Sequence, residues 1–289
     1  MSAEVVGGIQ GGLLECPVWE PETATLWFVD IAAPSLNRYH PESGARQEWR
    51  LPEAIGSFAL CRDGRLVLAM RSGLYRFDPV GEQMHLLVRA PYDPADTRFN
   101  DGRCDRMGRF WVGSMYEPRD RPAAALFRLG HDRMLTTVVE GITLSNGLAF
   151  STDGQWCYHA DSPARTIWRS RLDPASGTLS ERSVFATLTP DQGRPDGAAI
   201  DAEDHYWVAA VDAGRLLRFR PDGTIERTVE VPSLWPTMMA FGGPDLKTLY
   251  VTSLRVNRKP ELLARSPLSG SLFALQVDVP GVVEPLYLG

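Results

Sequence analysis

A strand-like segment recurs along the 289-residue chain, and this repeat limits what the chain can fold into. Each copy is rich in aromatic and β-branched residues, which favour β-strands. The copies begin roughly 40–50 residues apart, a spacing typical of propeller blades. Six copies are visible, at residues 25–31, 65–70, 109–115, 155–162, 205–211 and 248–254. The repeat therefore predicts an all-β protein, a six-bladed β-propeller.

Turns and second strands strengthen this prediction. Most copies follow a turn such as Arg62-Asp63-Gly64 and precede a second strand that carries an aromatic residue. The alternative, a β-sandwich, has no reason to repeat one strand–turn–strand unit at even spacing. No linker divides the chain, so we expect residues 1–289 to form one domain. Residues 91–98 and 257–267 are expected to be surface loops, and no segment predicts a long helix.

Composition excludes several classes of protein. Hydrophobic residues make up 44% of the chain, which is enough for a large core. The net charge is -6 and no run of Lys or Arg occurs, which argues against nucleic acid or an anionic membrane as a partner. No apolar run approaches the ~18 residues that span a bilayer. We expect a cytoplasmic monomer whose cysteines are reduced, because the four cysteines stand singly and no secretory leader is visible.

Four repeats carry an oxygen-bearing side chain at one common offset. The pairs, each separated by 11 positions, are Glu15 and Leu26, Asn100 and Trp111, Asn146 and Cys157, and Asp196 and Trp207. Equivalent positions of different blades meet around the central channel, so we expect Glu15, Asn100, Asn146 and Asp196 to face one another. The second and sixth repeats have Gly56 and Met238 there. The polar cluster should therefore be one-sided, with an apolar wall opposite.

A cluster of this kind points to a metal ion. Two carboxylates and two amides in one pocket would repel one another and lose hydration unless a cation joined them. Oxygen ligands favour a hard divalent ion such as Ca²⁺, Mg²⁺ or Mn²⁺. The five histidines show no spacing typical of metal ligands.

Local signals compete with this interpretation. Asp196-Gly197 lies in a Pro-Asp-Gly turn pattern, and Asn146-Gly147 by itself is a hairpin signal. Asp63-Gly64 and Asp153-Gly154 are expected to be ordinary turns, because they immediately precede their strands. The common offset favours a site over a turn for Asp196. Glu15, among apolar residues, is a ligand, an ion-pair partner or exposed.

Several motifs, taken together, resemble the SMP-30/gluconolactonase/regucalcin-like family. They lie at residues 14–19, 27–31, 98–102, 113–115, 145–149, 195–197 and 241–252. The resemblance implies a six-bladed propeller with one divalent metal at the mouth of the channel. It implies that Glu15, Asn146 and Asp196 hold the metal, and that Arg98 and Asn100 contact the substrate.

The resemblance also implies an activity and a choice of metals. Many members of the family hydrolyse sugar lactones, and closely similar bacterial members act on aldonolactones. Similar members also accept Zn²⁺ or Fe²⁺ in place of Ca²⁺. This chain departs from the pattern at Leu14, where glycine is usual. It also has Tyr116-Glu117-Pro118 where some members carry an acidic pair, so no role is assigned to Glu117.

The leading hypothesis is metal-dependent hydrolysis of a sugar-acid lactone such as glucono-, xylono-, arabinono- or galactonolactone. Asp196 would be the general base, with the metal, foremost Ca²⁺, polarising the carbonyl. The rivals are a non-catalytic calcium-binding propeller and a hydrolase of phosphotriesters or aryl esters. Motifs of serine hydrolases, P-loop NTPases and dinucleotide oxidoreductases are absent from the sequence.

Overall fold

The computed structural model describes residues 2–289, and over this range the chain forms six four-stranded antiparallel sheets. This confirms the predicted six-bladed β-propeller. The strands of the first three blades, preceded by β1 (Glu4–Gln10), are β2 (Leu14–Glu20), β3 (Thr25–Asp30), β4 (Ser35–Tyr39), β5 (Arg46–Arg50), β6 (Ile55–Leu60), β7 (Leu66–Met70), β8 (Gly73–Asp78), β9 (Gln83–Arg89), β10 (Thr97–Cys104), β11 (Phe110–Tyr116), β12 (Ala124–Leu129) and β13 (Leu135–Ile142).

The second half of the chain continues the same pattern. Its strands are β14 (Ser145–Phe150), β15 (Trp156–Asp161), β16 (Thr166–Leu172), β17 (Leu179–Thr187), β18 (Arg194–Ile200), β19 (Tyr206–Val211), β20 (Arg215–Phe219), β21 (Ile225–Glu230), β22 (Pro236–Gly242), β23 (Thr248–Ser253) and β24 (Ser271–Gln276). A 3-10 helix spans Pro190–Gln192, and the helix α1 (Pro260–Arg265) lies within the expected loop 257–267. No helix of residues 2–289 is both long enough and apolar enough to cross a membrane.

The blades close into a ring through the N-terminal strand. The first strand of each blade (β2, β6, β10, β14, β18 and β22) contacts the corresponding strand of both neighbouring blades, so these inner strands surround the axis. In the last blade the strand order is β1-β24-β23-β22. Strand β1 pairs with β24 through Glu4 opposite Ala274 and Val5 opposite Phe273. Residues from both ends of the chain therefore complete one sheet, which closes the circle without a free blade edge at the junction.

Burial follows position within each blade. Inner strands such as β10 and β22 are buried along their whole length, whereas the outer strands β5 and β17 are largely exposed. Apolar side chains of adjacent blades pack together between the sheets. The four cysteines are buried free thiols, as the sequence predicts.

Three buried tryptophans each donate a hydrogen bond to a carboxylate that lies at the end of an inner strand or just after it. The Nε1 atoms of Trp27, Trp111 and Trp207 donate hydrogen bonds to Glu20 (3.0 Å), Asp105 (2.8 Å) and Asp201 (2.8 Å), respectively. An arginine binds the same carboxylate in each case: Arg38, Arg109 and Arg218. The repeated tryptophans are therefore core residues, and each also holds the adjacent turn to its blade.

We expect Asp105→Asn to lower the free energy of unfolding by about 3 kcal/mol, because breaking a buried ion pair leaves the other charge uncompensated. Asp105 is fully buried, and its Oδ2 atom accepts from Arg109 Nε (2.6 Å) as well as from Trp111. Urea unfolding measures the change. The control is Asp278→Asn, which removes an exposed pair with Arg227 and should cost no more than ~1 kcal/mol. Equal losses for the two variants would contradict the anchoring role.

Candidate metal and substrate site

Each of the six inner strands carries a one-residue β-bulge near its beginning. The register against the neighbouring strand shifts by one residue at positions 15–18, 55–57, 99–102, 146–149, 195–198 and 236–239. A bulge interrupts the alternation of a strand and re-aims the side chains within it. This bulge is the structural cause of the common offset of Glu15, Asn100, Asn146 and Asp196, because all four residues lie at it.

The bulges correct two turn signals in the sequence. Residues 195–197 lie inside β18, and Asn146-Gly147 lies inside β14, so neither is a turn between strands. Gly147 adopts a φ of 62°, and a Cβ atom there would lie 2.6 Å from the Tyr206 hydroxyl oxygen. A glycine after Asn146 is thus required by the bulge. By contrast, Asp63-Gly64 and Asp153-Gly154 form the expected turns.

Glu15, Asn100, Asn146 and Asp196 line one cavity of about 90 Å³ at the beginning of the inner strands. The amides connect the blades directly. Asn100 Nδ2 donates to Asn146 Oδ1 (2.7 Å) and to the carbonyl oxygen of Ser145 (2.9 Å). Asn146 Nδ2 in turn donates to Ser162 Oγ (2.8 Å). These hydrogen bonds fix the orientation of both amides. We call the part of the cavity formed by Glu15, Asn100, Asn146 and Asp196 its floor.

Arg98 lines the same cavity, and it lies in β10 rather than in the loop expected at residues 91–98. Its Nη1 atom donates to Asn100 Oδ1 and to the Phe99 carbonyl oxygen, both at 2.8 Å. Burial lowers the pKa of Arg98 to about 10, against the opposing effect of Glu117. The guanidinium group is therefore a buried cation at neutral pH.

Glu15 and Asp196 are carboxylates without a counter-cation. Within residues 2–289 neither lies within 4.0 Å of a basic side chain, and Glu15 accepts a hydrogen bond only from the Cys16 N–H (3.0 Å). Burial, and then the charges of Asp196 and Asp101, raise the pKa of Glu15. Burial and the charge of Asp101 raise the pKa of Asp196 to about 8. Concentrated negative charge of this kind is costly unless a cation neutralises it.

The donor set fits a hard divalent cation. Among residues 2–289, no group of three or more His, Cys, Asp or Glu side chains is arranged to hold a metal ion. An ion at this site would therefore need the Asn146 amide oxygen in addition to the carboxylates of Glu15 and Asp196. Oxygen ligands of mixed charge are those that Ca²⁺ and Mg²⁺ prefer.

The apolar wall of the cavity is not built by the residues that the repeat indicates. Gly56 packs against the backbone of Phe99 and Asn100, and Met238 lies in the core, so neither lines the cavity. The apolar lining comes instead from residues at or near the ends of strands: Leu13, Ile31, Met115, Leu144, Val211 and Leu254.

Two acidic residues near the site were not assigned from the sequence. Asp101 is buried, and its Oδ2 atom accepts a hydrogen bond from the Leu148 N–H (2.9 Å). Its Oδ1 atom has no hydrogen-bond partner in the described part of the chain. Burial raises the pKa of Asp101 to about 6. Glu117 accepts a hydrogen bond from Arg71 (2.8 Å) and its Oε1 atom lies 3.8 Å from Arg98 Nε. Glu117 therefore positions Arg98 rather than lining the cavity.

A larger cavity of about 280 Å³ lies at the opposite ends of the inner strands. Its lining is mainly apolar and includes Trp19, Phe58 and Leu286. Its most deeply buried charges, Arg103 and Glu284, are already paired with each other. The chemistry-bearing groups thus converge at the smaller cavity, which we take as the candidate site.

These features define a β-propeller whose channel mouth holds carboxylates, amides and a buried arginine. The family described as "SMP-30/Gluconolactonase/LRE-like region" matches residues 13–255, so the chain belongs to this family. A 6-deoxy-6-sulfogluconolactonase of Pseudomonas putida is 43% identical over 275 residues, covering 95% of this chain and 94% of that protein.

Two further comparisons agree with this assignment. A pentonolactonase of Haloferax volcanii is 36% identical over 241 residues, covering 83% of this chain and 80% of that protein. The crystal structure of a calcium-binding protein, regucalcin, from Agrobacterium tumefaciens superposes with a TM-score of 0.94 at 30% identity, covering 98% of this chain and 96% of the other.

His159 lies beneath the site and should make stability depend on pH. Its Nε2 atom lies 2.8 Å from Ser145 Oγ, and no residue from 2 to 289 provides a hydrogen-bond partner for its Nδ1 atom. Burial lowers the pKa of His159 to about 3. The unfolded chain, with a histidine pKa of ~6.5, binds this proton more readily. The contribution of neutral His159 to the free energy of unfolding is therefore fully present above pH ~6.5. It is lost as the pH falls below that value, and the slope of the free energy of unfolding against pH approaches about 1.4 kcal/mol per pH unit.

Urea unfolding at a series of pH values from about 5 to about 7 covers the upper part of the window between the folded-state and unfolded-state pKa values of His159, and it measures that slope. We expect His159→Gln to flatten it by about one proton. The control is His85→Gln, at an exposed position, which should leave the slope unchanged. Equal slopes for wild type and His159→Gln would refute the assignment to His159.

Proposed function

We propose that this protein is a hydrolase acting on carboxylic ester bonds that opens the ring of a sugar-acid lactone to give the aldonic acid. The observation that carries the proposal is the pair Glu15 and Asp196, without a counter-cation, beside the buried donors of Arg98 and Asn100. Two relatives are named as lactonases. Their names point to different sugars, so the proposal at this stage is limited to the lactone ring.

Glu15, Asn146 and Asp196 would hold one divalent cation, with Ca²⁺ as the first candidate and Zn²⁺, Mn²⁺, Mg²⁺ and Fe²⁺ as alternatives. A hard ion suits these oxygen donors, and a structure at 30% identity is named a calcium-binding protein. Such an ion supplies Lewis-acid polarisation of a carbonyl group when bound.

Asp196 is proposed as the general base. Burial raises the pKa of Asp196, and a divalent cation beside it would favour the ionised form, which is the form that accepts a proton from water. As water adds to the lactone carbonyl carbon, its proton passes to Asp196, and the ring C–O bond then breaks. The proton returns to the alkoxide oxygen that leaves. General base catalysis typically contributes ~10²–10⁴-fold.

Arg98 and Asn100 are proposed to bind the substrate. Arg98 uses Nη1 for Asn100 and Phe99, while its Nη2 atom has only a 3.9 Å contact to Met115 Sδ. This leaves strong donors for ring hydroxyls and for the carboxylate that forms on ring opening. A cavity of about 90 Å³ suits a compact polar molecule better than the ligands of drug size, which fill roughly 300–1,000 Å³.

The metal requirement is tested by stripping the protein with a chelator and restoring single divalent ions. We expect turnover of glucono-, galactono-, xylono- or arabinonolactone above the spontaneous rate only after an ion is restored. A pH-indicator assay with a no-enzyme control measures it. Binding of Ca²⁺ without turnover of any lactone would favour the non-catalytic reading, and faster turnover of aryl esters or phosphotriesters would favour the other rival.

Asp196→Asn should reduce lactone turnover by at least ~10²-fold, since the base is lost. At about pH 9, above the raised pKa of Asp196, the same variant should also unfold at a higher temperature than wild type when no metal is present, because the wild-type carboxylate is then a buried charge without a counter-cation. Its stabilisation by added metal should be lost. The matched control is Asp153→Asn, which alters an exposed Asp-Gly turn and should change none of these quantities. Near-full turnover by Asp196→Asn would rule out the assigned base.

A further inference from the structure

The mouth of the candidate cavity is rich in arginine. Arg98, Arg119, Arg194 and Arg258 line the cavity, against only two carboxylates, Glu15 and Asp196. Arg98 is buried at the floor, whereas Arg194 and Arg258 are half-buried and Arg119 is exposed. The last three residues therefore form the outer part of the site, which we call the arginine rim.

One member of the arginine rim is already paired with a carboxylate. Arg194 binds Asp212 through Nη2 at 2.7 Å and Nε at 2.8 Å. Within residues 2–289, neither Arg119 nor Arg258 has a carboxylate within 4.0 Å. The other acid near the rim, Glu117, is bound to Arg71. The rim therefore carries two guanidinium groups that no acidic side chain neutralises.

Arg258 is held in place without its hydrogen-bonding capacity being used. Its guanidinium carbon lies 5.0 Å from the centre of the Trp235 ring, which fixes the plane of the group. Its Nε atom is buried and has no hydrogen-bond partner among the described residues. A buried donor without an acceptor is costly, and such groups are rare unless a ligand supplies the acceptor.

Arg119 shares this environment. Its Nη2 atom has only the weak acceptor Met115 Sδ, at 3.2 Å. Burial lowers the pKa of Arg258, and the charges of Arg194 and Arg119 act in the same direction, while Asp212 and Asp196 oppose them. The two free guanidinium groups are thus close enough to repel each other, and an anion between them would relieve that repulsion.

We propose that Arg119 and Arg258 bind a tetrahedral anionic group, a sulfonate or a phosphate, carried on the exocyclic carbon of the sugar lactone. This inference rests on the proposed lactone hydrolysis, because it places the lactone ring on the floor formed by Asn100, Asn146 and Asp196. Guanidinium groups match the oxygens of such anions through paired N–H donors. An exocyclic substituent points away from the ring and so reaches the rim from that floor.

The test compares three probes on the metal-loaded protein: 6-deoxy-6-sulfogluconolactone, 6-phosphogluconolactone and the neutral gluconolactone. We expect kcat/KM for at least one charged lactone to exceed that for the neutral lactone by about tenfold or more, which is the scale of one charge-assisted hydrogen bond. The preference should shrink as KCl is raised, since salt screens partly exposed charges. The ratio of the two charged probes distinguishes sulfonate from phosphate.

Arg258→Gln and Arg119→Gln should each reduce the preference for the charged lactone by about tenfold, with a smaller effect on the neutral one. The matched control is Arg171→Gln. Arg171 also stacks on a tryptophan, Trp156, at 4.6 Å, but it does not line the cavity. This control should leave both rates unchanged. Equal rates for charged and neutral lactones in wild type, or a preference that survives both rim substitutions, would overturn the proposal.

Calorimetry with the ring-opened acids separates this inference from the proposed function. The arginine rim predicts that 6-deoxy-6-sulfogluconate or 6-phosphogluconate binds more tightly than gluconate, and that Arg258→Gln removes the difference. If no lactone is turned over yet this difference is found, the hydrolytic function fails and the rim stands. If lactones are turned over and the acids bind equally, the rim fails and the hydrolytic function stands.

Discussion

Closure of the ring is the constraint on which the rest of this structure depends. Strand β1 pairs with β24, so one blade is built from both ends of the chain. Only in a closed ring do six inner strands surround one axis, and only then do residues as distant in sequence as Glu15 and Asp196 line one cavity. The tryptophan–carboxylate pairs, such as Trp111 with Asp105, hold the connecting turns to their blades.

Within that ring, a single irregularity creates the site. A one-residue bulge near the start of every inner strand breaks the alternation of side chains, and the residues at the bulges of four blades are Glu15, Asn100, Asn146 and Asp196. The other two blades have Gly56 and Met238 at the bulge, and these pack inward instead. The same bulge therefore serves packing in two blades and places an oxygen-bearing side chain at the cavity in the other four.

The charges of the cavity are separated by depth. The floor concentrates carboxylates whose pKa values are raised by burial and by one another, which fits a cation. The rim carries Arg119 and Arg258, which have no acidic partner among the described residues, and this fits an anion. With the proposed cation bound at the floor, a sugar lactone that carries an exocyclic anionic group would match both ends of the cavity. Its carbonyl oxygen would face the cation, and its anionic substituent would face the arginine rim.

The sequence by itself determined the blade count and the four bulge residues, because both are periodic: Trp111 and Trp207 recur with their blades, and Asn100 and Asp196 recur at a common offset. The sequence also correctly separated the turn at Asp153-Gly154 from Asp196-Gly197, but it could not show that the latter is a bulge, since glycine serves both. Only the tertiary structure decided which charges are paired. Glu117 and Arg258 are equally visible in the sequence, yet Glu117 binds Arg71 whereas Arg258 has no acidic partner within residues 2–289. Ion pairing depends on distances across blades, which no local sequence pattern encodes.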